Sequence, residues 1–367
     1  MKAILLIVAM GVLIVAVALL EGESPIKDDE VVTFFPALGR PVSDAANAEW
    51  EVSIHGWIFE PEKDSIQRKV LLGLLRRSLG LEDDAPETEL FKERARWFLV
   101  DNERGKRITI RLGEKKHSLD PSKPNGHFSG TLRLSSEEVS SMRRVPENAD
   151  GRLRFRAVTR KDDSRVFQGE ILLVQGPGLS VVTDIDDTVK VSETTDRKAL
   201  LANTFLRSYS AVGGMSEVYK KLERRGAVFH YVSASPWQLY EPLSTFLATS
   251  GFPRGTFHLK EFRVKDSTFF SLFASPQDYK RSVLEPLLRS FPLRRFVLIG
   301  DSSEKDIDVY AELARALPDR VEMVLIRSVP GVEAKEDRLA AAFKGVPGAK
   351  WRVFREPAEI LAWASGE

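Results

Sequence analysis

A chain of 367 residues can hold two domains, each large enough to bury its own core. With 54 basic against 53 acidic residues its formal net charge is +1, so no global positive field draws it to nucleic acid, and none of the nucleic-acid-binding motifs is present. It contains no cysteine, which excludes thiol nucleophiles, thiolate metal sites and disulfides.

Lys2 opens a positive start, residues 3–20 are continuously apolar, and Ala16-Val17-Ala18 offers a small-x-small cleavage pattern. Residues 1–20 are therefore expected to be a signal peptide or a membrane anchor. The protein is then exported, to a periplasm or the exterior, or held at a membrane. The polar, acidic residues that follow read as a spacer, and 21–48 is expected to be a linker.

A mostly antiparallel β domain is expected over 49–176. Residues 50–59 alternate apolar and polar as a half-buried strand does, and further strands are expected at 108–112, 127–134, 153–159 and 166–174. Helical spacing of apolar residues predicts helices over 64–79 and 87–100. His55, His117 and His127 lie in or beside strand-like segments and are expected to be packing or surface residues. No paired carboxylates or clustered histidines suggest chemistry in this region.

From residue 177 to 367 the pattern changes to alternating strands and helices, which argues for a parallel sheet covered by helices. The stretch VVTDIDDTVK organises it: a β-branched run ends in Asp184, Asp186 and Asp187, with Thr188 behind. Carboxylates packed together repel, so a buried strand ending this way calls for a cation. A helix is expected over 215–225 and a buried strand over 227–232, with Ser233 at its carboxyl end and Ser235 as a rival two residues on. A further helix over 279–291 carries Lys280, and Pro286 within it predicts a kink. The strand 295–299 leads into GDSSEKD, with Asp301 and Asp306. Strands at 321–326 and 351–354 and a last helix over 357–364 complete the pattern.

The order DxDxT, Ser, Lys, GDxxxxD resembles the four motifs of the haloacid dehalogenase-like (HAD) phosphohydrolases. More narrowly, TDIDDTVK, HYVSASPWQLY, PLSTFLATSGFPRGTFHLKEF and LIGDSSEKDIDVY resemble the catalytic domain of the actin-patch-associated phosphatidate phosphatases. Gly56-Trp57 and Asn125-Gly126-His127-Phe128 resemble, more weakly, the domain that precedes it there. Ser303 and Ile307 depart from that family's usual Gly and Pro beside the fourth-motif acids.

The resemblance implies an α/β fold with a HAD-like Rossmannoid parallel sheet and flanking helices. It implies Mg2+ as cofactor, held by Asp184, Asp301, Asp306 and the backbone carbonyl of Asp186. Asp184 is then the nucleophile, Asp186 the general acid and base, and Ser233 and Lys280 the groups that hold the phosphoryl oxygens. Lys260 is the alternative to Lys280. The implied substrate is a phosphorylated one, phosphatidate or a related lipid phosphate. The aromatic cluster Phe262, Phe269, Phe270 and Phe273, with Leu272, could pack over the sheet or touch a membrane. A phosphatase of soluble esters and a catalytically silent HAD-like scaffold are the competing expectations; the sequence carries no sign of oligomeric state.

Overall fold

Two short strands, β1 (Val31–Phe34) and β2 (Ala37–Pro41), and the long β3 (Trp50–Glu60) start the first unit. In the computed structural model this unit comprises Met1–Lys63 and Val100–Gln175, and a second unit comprises Asp64–Leu99 and Gly176–Glu367. The structure describes residues 23–43, 45, 48–61, 72–73, 76–77, 88–261, 277–303 and 305–366.

β3 is the spine of the first sheet. On one side it pairs antiparallel with β2 and β1, and on the other with β4 (Asp101–Asn102) and β7 (His127–Leu134). The sheet continues from β2 through β9 (Gln168–Leu173) and β8 (Arg152–Ala157) to β5 (Arg107–Leu112) and β6 (Lys115–Pro121). Among the described residues the β2–β9 pair of this sheet is parallel and its other pairs are antiparallel. Val52, Ile54, Ile58, Ile110, Leu153 and Ile171 lie at its fully buried centre. Gly56 is required by close approach, because a Cβ there would lie 2.4 Å from the Phe128 ring. His127 stacks on His55 and on Phe35, and His55 meets Phe35 at a tilt, as packing residues do.

Residues 21–48, expected as a linker, carry β1 and β2. Their apolar runs are four or five residues long and bounded by Pro36 and Pro41, too short for periodicity to register. The expectation of export or anchoring is also corrected. Residues 1–20 lie outside the described residues, no helix among the described residues is long and apolar enough to cross a membrane, and the assignment of a location is withdrawn. Of the helix expected over 64–79, only 72–73 and 76–77 are described, and they are helical.

In the second unit, six parallel strands lie in the order β12-β11-β10-β13-β14-β15. They are β10 (Gly178–Asp184), β11 (Val228–Pro236), β12 (Gly255–Lys260), β13 (Arg294–Asp301), β14 (Val321–Arg327) and β15 (Trp351–Phe354). The central strands are buried on both faces, which is why they read as continuous apolar runs rather than alternating ones. The chain winds from β10 outward to β12, then returns to place β13 on the other side of β10. This reversal makes the carboxyl ends of β10 and β13 the switch point where open α/β sheets bind ligands. The register aligns Asp184 with Val232 and Thr183 with Ile299, so Asp184 and Asp301 emerge together.

The helices needed below are α1 (Glu89–Ala95), α2 (Ser136–Arg143), α3 (Arg197–Phe205), α4 (Met215–Arg224), α5 (Tyr240–Thr249), α6 (Gln277–Ser290) and α7 (Asp306–Ala316). α4 buries Met215, Val218, Tyr219 and Leu222, the spacing of one helical face. The helix expected over 87–100 is observed as α1 followed by a 3-10 turn at Arg96–Phe98. It belongs to the second unit, although the chain reaches it between β3 and β4 of the first.

Candidate active site

Asp184 closes β10, Asp301 closes β13 and Asp306 opens α7, and all three are buried. Each offers a carboxylate oxygen, and these oxygens lie within 4.8 Å of one another. Gly300 permits the arrangement: a Cβ there would stand 2.3 Å from Asp306 Oδ2. Asp306 Oδ2 accepts the backbone N–H of Asp301 at 3.3 Å, tying the start of α7 to the end of β13.

Lys280, on the first turn of α6 and 1% exposed, reaches into this cluster. Its Nζ donates to Asp184 Oδ1 at 2.8 Å and to Asp306 Oδ1 at 2.5 Å. Three buried carboxylates beside one ammonium leave an excess of negative charge in a low dielectric. An all-oxygen donor set of this kind fits a hard divalent cation such as Mg2+.

Both oxygens of Asp186 are held. Lys190 Nζ lies 2.9 Å from Oδ1, and Ser192 Oγ donates to the same oxygen at 2.7 Å. Ser233 and Ser235 donate to Oδ2 at 2.8 and 3.2 Å. Burial alone would push this carboxyl up; the Lys190 charge and the hydrogen bonds from Ser192, Lys190 and Ser233 outweigh it and hold it down at about 2. Both serines that compete in the sequence thus meet the same carboxylate, and Ser233 Oγ also accepts the Ser235 N–H at 2.9 Å.

Asp187 has a left-handed backbone, φ 54°, and organises the loop beyond it. Its Oδ1 accepts the N–H groups of Ser192 and Glu193 at 2.8 and 2.9 Å, and its Oδ2 the N–H and hydroxyl of Thr194 at 2.7 and 2.9 Å. Thr194 Oγ1 lies 2.8 Å from Ser303 Oγ, and Ser303 donates its N–H to Asp301 Oδ1 at 2.5 Å and its hydroxyl to the same oxygen. Ser303 therefore bridges the loop after the first motif to the acid of the fourth. Ile307 is fully buried on α7.

The structure brings Asp184, Lys280, Asp301 and Asp306 together, and Asp186 and Ser233 form a bonded pair of their own. Lys260 ends β12 in a pocket of about 480 Å3 with Trp237, His258, Leu259 and Tyr279. Sequence reasoning assigned nothing to Lys190, Ser192 or Asp187. Lys190 and Asp187 stand inside the motif stretch itself, but a charge there reads equally as solvated surface. The aromatic cluster at 262, 269, 270, 272 and 273 lies outside the described residues.

Two acidic strand ends at the switch point of a parallel sheet, with a lysine from the preceding helix, give the second unit a HAD-like fold class. Residues 179–328 match the model of the family described as phosphatidate phosphatase APP1, catalytic domain. Phosphatidate phosphatase APP1 of Saccharomyces cerevisiae is 32% identical over 155 residues, 41% of this chain and 26% of that protein. An uncharacterized protein of Schizosaccharomyces pombe is 31% identical over 169 residues, 45% of this chain and 27% of that protein. The chain thus spans about a quarter of the length of these relatives. Among solved structures, an apo phosphoserine phosphatase overlays with a TM-score of 0.34 at 15% identity, covering 51% of this chain and 98% of its own.

Proposed function

We propose that the chain is a Mg2+-dependent phosphomonoesterase acting on phosphatidate or a closely related lipid phosphate. The observation that carries this reading is the buried Asp184–Lys280–Asp306 cluster with Asp301 at the switch point, inside the segment that matches the catalytic family. The pocket around Lys260 combines apolar walls from Trp237, Leu259 and Val283 with the polar His258, Glu261 and Tyr279, and the lipid substrate is supported by the family match.

Asp184 attacks phosphorus, the bond to the ester oxygen breaks, and an aspartyl-phosphate forms. Asp186, ionised in the free protein, takes up a proton as the anionic phosphate enters, gives it to the departing oxygen and later takes one from the water that hydrolyses the intermediate. Ser233, now bonded to Asp186 Oδ2, can rotate its hydroxyl to a phosphoryl oxygen when substrate enters. Lys280 offsets the charge that gathers on the transferring group and holds Asp184 Oδ1 in place. Asp184, Asp301 and Asp306, with the Asp186 carbonyl, would hold Mg2+, which when bound neutralises repulsion between the phosphate dianion and the carboxylates.

The test is phosphate release by the full chain from dioctanoyl phosphatidate and from a panel of soluble phosphate esters, in Mg2+ or EDTA, with Asp184→Asn as control. Mg2+-dependent release from the lipid that vanishes in Asp184→Asn is the expected result. Turnover of soluble esters alone removes the lipid assignment, and no turnover of any ester removes the hydrolase reading.

A further inference from the structure

His230 and His258 stand on adjacent strands, β11 and β12, with one hydroxyl between their rings. Thr256 Oγ1, on a side chain as buried as the core, lies 2.9 Å from His230 Nδ1 and 3.2 Å from His258 Nε2. His230 is fully buried beside Phe291, and its Nε2 has no hydrogen-bond partner among the described residues. Burial keeps both imidazoles neutral: it pushes His230 well below the ordinary histidine range and His258 down to about 4. A neutral imidazole has one N–H and a hydroxyl has one proton to give, so the three groups can share their protons in only two ways. A buried N–H left without an acceptor is rarer than a buried acceptor left without a donor. His230 therefore keeps its proton on Nδ1 and donates to Thr256, Thr256 donates to His258 Nε2, and His258 carries its own proton on Nδ1.

That Nδ1–H makes no hydrogen bond among the described residues, and the His258 ring lines the pocket that also holds Lys260. The pocket lies beside the reacting carboxylate. Asp184 pairs with Val232, and Val232 with His258, so Asp184 and His258 stand in one row of the sheet two strands apart, about 10 Å. One helix spans that interval: Lys280 of α6 bonds Asp184, while Tyr279 and Val283 of the same helix line the pocket. Trp237, another lining residue, follows the end of β11 that carries Ser233 and Ser235. Lys260 and Glu261 bring one charge of each sign, so the pocket has no net charge with which to select an ion. What His258 adds to its apolar walls is an uncharged donor.

We infer that His258 is a specificity-determining residue whose Nδ1–H binds an ester carbonyl of the lipid phosphate, with Trp237, Leu259 and Val283 against its acyl chain, while the phosphoryl group lies at Asp184. A carbonyl accepts without carrying charge, which is what a neutral donor in a pocket of balanced charge selects. In a glyceryl ester the glycerol carbons set the carbonyl apart from the phosphorus, so one molecule can occupy both places. Thr256 and His230 act through His258 as positioning residues, because they fix its proton on Nδ1. The inference rests on the lipid phosphatase reading and names the part of the substrate recognised beyond its phosphate.

The readout is the ratio of kcat/KM for dioctanoyl phosphatidate to that for its dioctyl ether analogue, which has the same phosphate and chain lengths but no carbonyl, measured on the full chain with Mg2+. Unfolded protein lowers both terms equally and leaves the ratio untouched. The parent is expected to favour the ester about 10-fold, the upper end for a neutral hydrogen bond. His258→Phe keeps a ring without the donor and abolishes that preference, whereas His258→Asn, whose amide supplies an N–H, retains part of it. Thr256→Val releases the His258 proton to either nitrogen and lowers the ratio part of the way. Equal kcat/KM for the two lipids in the parent, or an unchanged ratio in His258→Phe, overturns the inference and leaves the phosphatase reading intact. An unchanged ratio in Thr256→Val overturns the part given to Thr256 and His230. A parent that hydrolyses soluble esters alone, or no ester, is a different result, which refutes the lipid reading and this inference with it.

Discussion

Replacing Asp187 by glycine separates two reasons for its place in TDIDDT. At φ 54° a non-glycine residue carries roughly 1 kcal/mol of backbone strain, which glycine removes. Against that stands the loss of four hydrogen bonds to a buried carboxylate. Glu193 is exposed and Thr194 half-buried, so water can replace their bonds, and the N–H of buried Ser192 carries most of the cost, at about 2 kcal/mol for a bond to a charged acceptor. The net is a loss of about 1 kcal/mol of local stability, or roughly 5-fold in the opening equilibrium of the loop. Hydrogen exchange of the amides of residues 192–194 reads that opening directly. Asp187→Ala loses the same bonds and keeps the strain, so protection should fall in the order parent, Asp187→Gly, Asp187→Ala. Equal or greater protection in Asp187→Gly would refute the bonding argument and leave only the demand for a left-handed turn.

Gly300→Ala places a methyl 2.3 Å from Asp306 Oδ2, so that carboxylate must leave Lys280 or Asp301; Mg2+-dependent turnover should fall about 10²-fold, and the rise in melting temperature on adding Mg2+ should shrink, as calorimetry would show. Gly56→Ala forces the Phe128 ring out of a packed core and should cost about 1–3 kcal/mol, read as a lower melting temperature of the first unit. Glu30 is fully buried, with its Oε1 2.6 Å from Lys106 Nζ. Burial would raise its carboxyl, but hydrogen bonds and charges from Lys106 and Lys27 outweigh it and the pKa is lowered. A depressed carboxyl stabilises the fold above the ordinary carboxylate range and loses that contribution as pH falls through the folded value. Glu30→Gln should therefore melt below the parent at pH 7 and converge with it as the pH falls below the ordinary carboxylate range in scanning calorimetry; a gap that persists unchanged in acid would contradict this sign.

The strands of the second unit were legible because parallel strands buried on both faces leave unbroken apolar runs, as β10 and β13 do. β6 was not, because its sequence KKHSLDP buries only Leu119 and offers no alternation to detect. α2 was missed despite the capping box between Ser135 and Glu138, because it buries only Val139 and Met142 and has almost no apolar face. The order of acids, hydroxyl and lysine could be read because each stands at a strand end or helix start, where local pattern marks position. Partner choice within the site could not. Nothing local distinguishes Ser233 from Ser235, and only the fold shows both on one carboxylate oxygen.

Arg94 shows why the limit lies where it does. Its helix is visible from apolar spacing, and the natural assumption places a helix in the domain whose strands flank it. The bond from Arg94 to the Thr204 carbonyl spans 110 residues, and no periodicity encodes a contact of that range. What the sequence does carry is the anomaly itself: a helix whose buried set is Phe91, Arg94 and Ala95, with a charge in the middle of its core face. A buried guanidinium must find acceptors that a β-sheet, with its carbonyls already paired, cannot supply, whereas the frayed end of another helix can. A charged residue on an otherwise apolar helical face is thus a local sign of a distant partner, and it identifies the kind of partner although not its address.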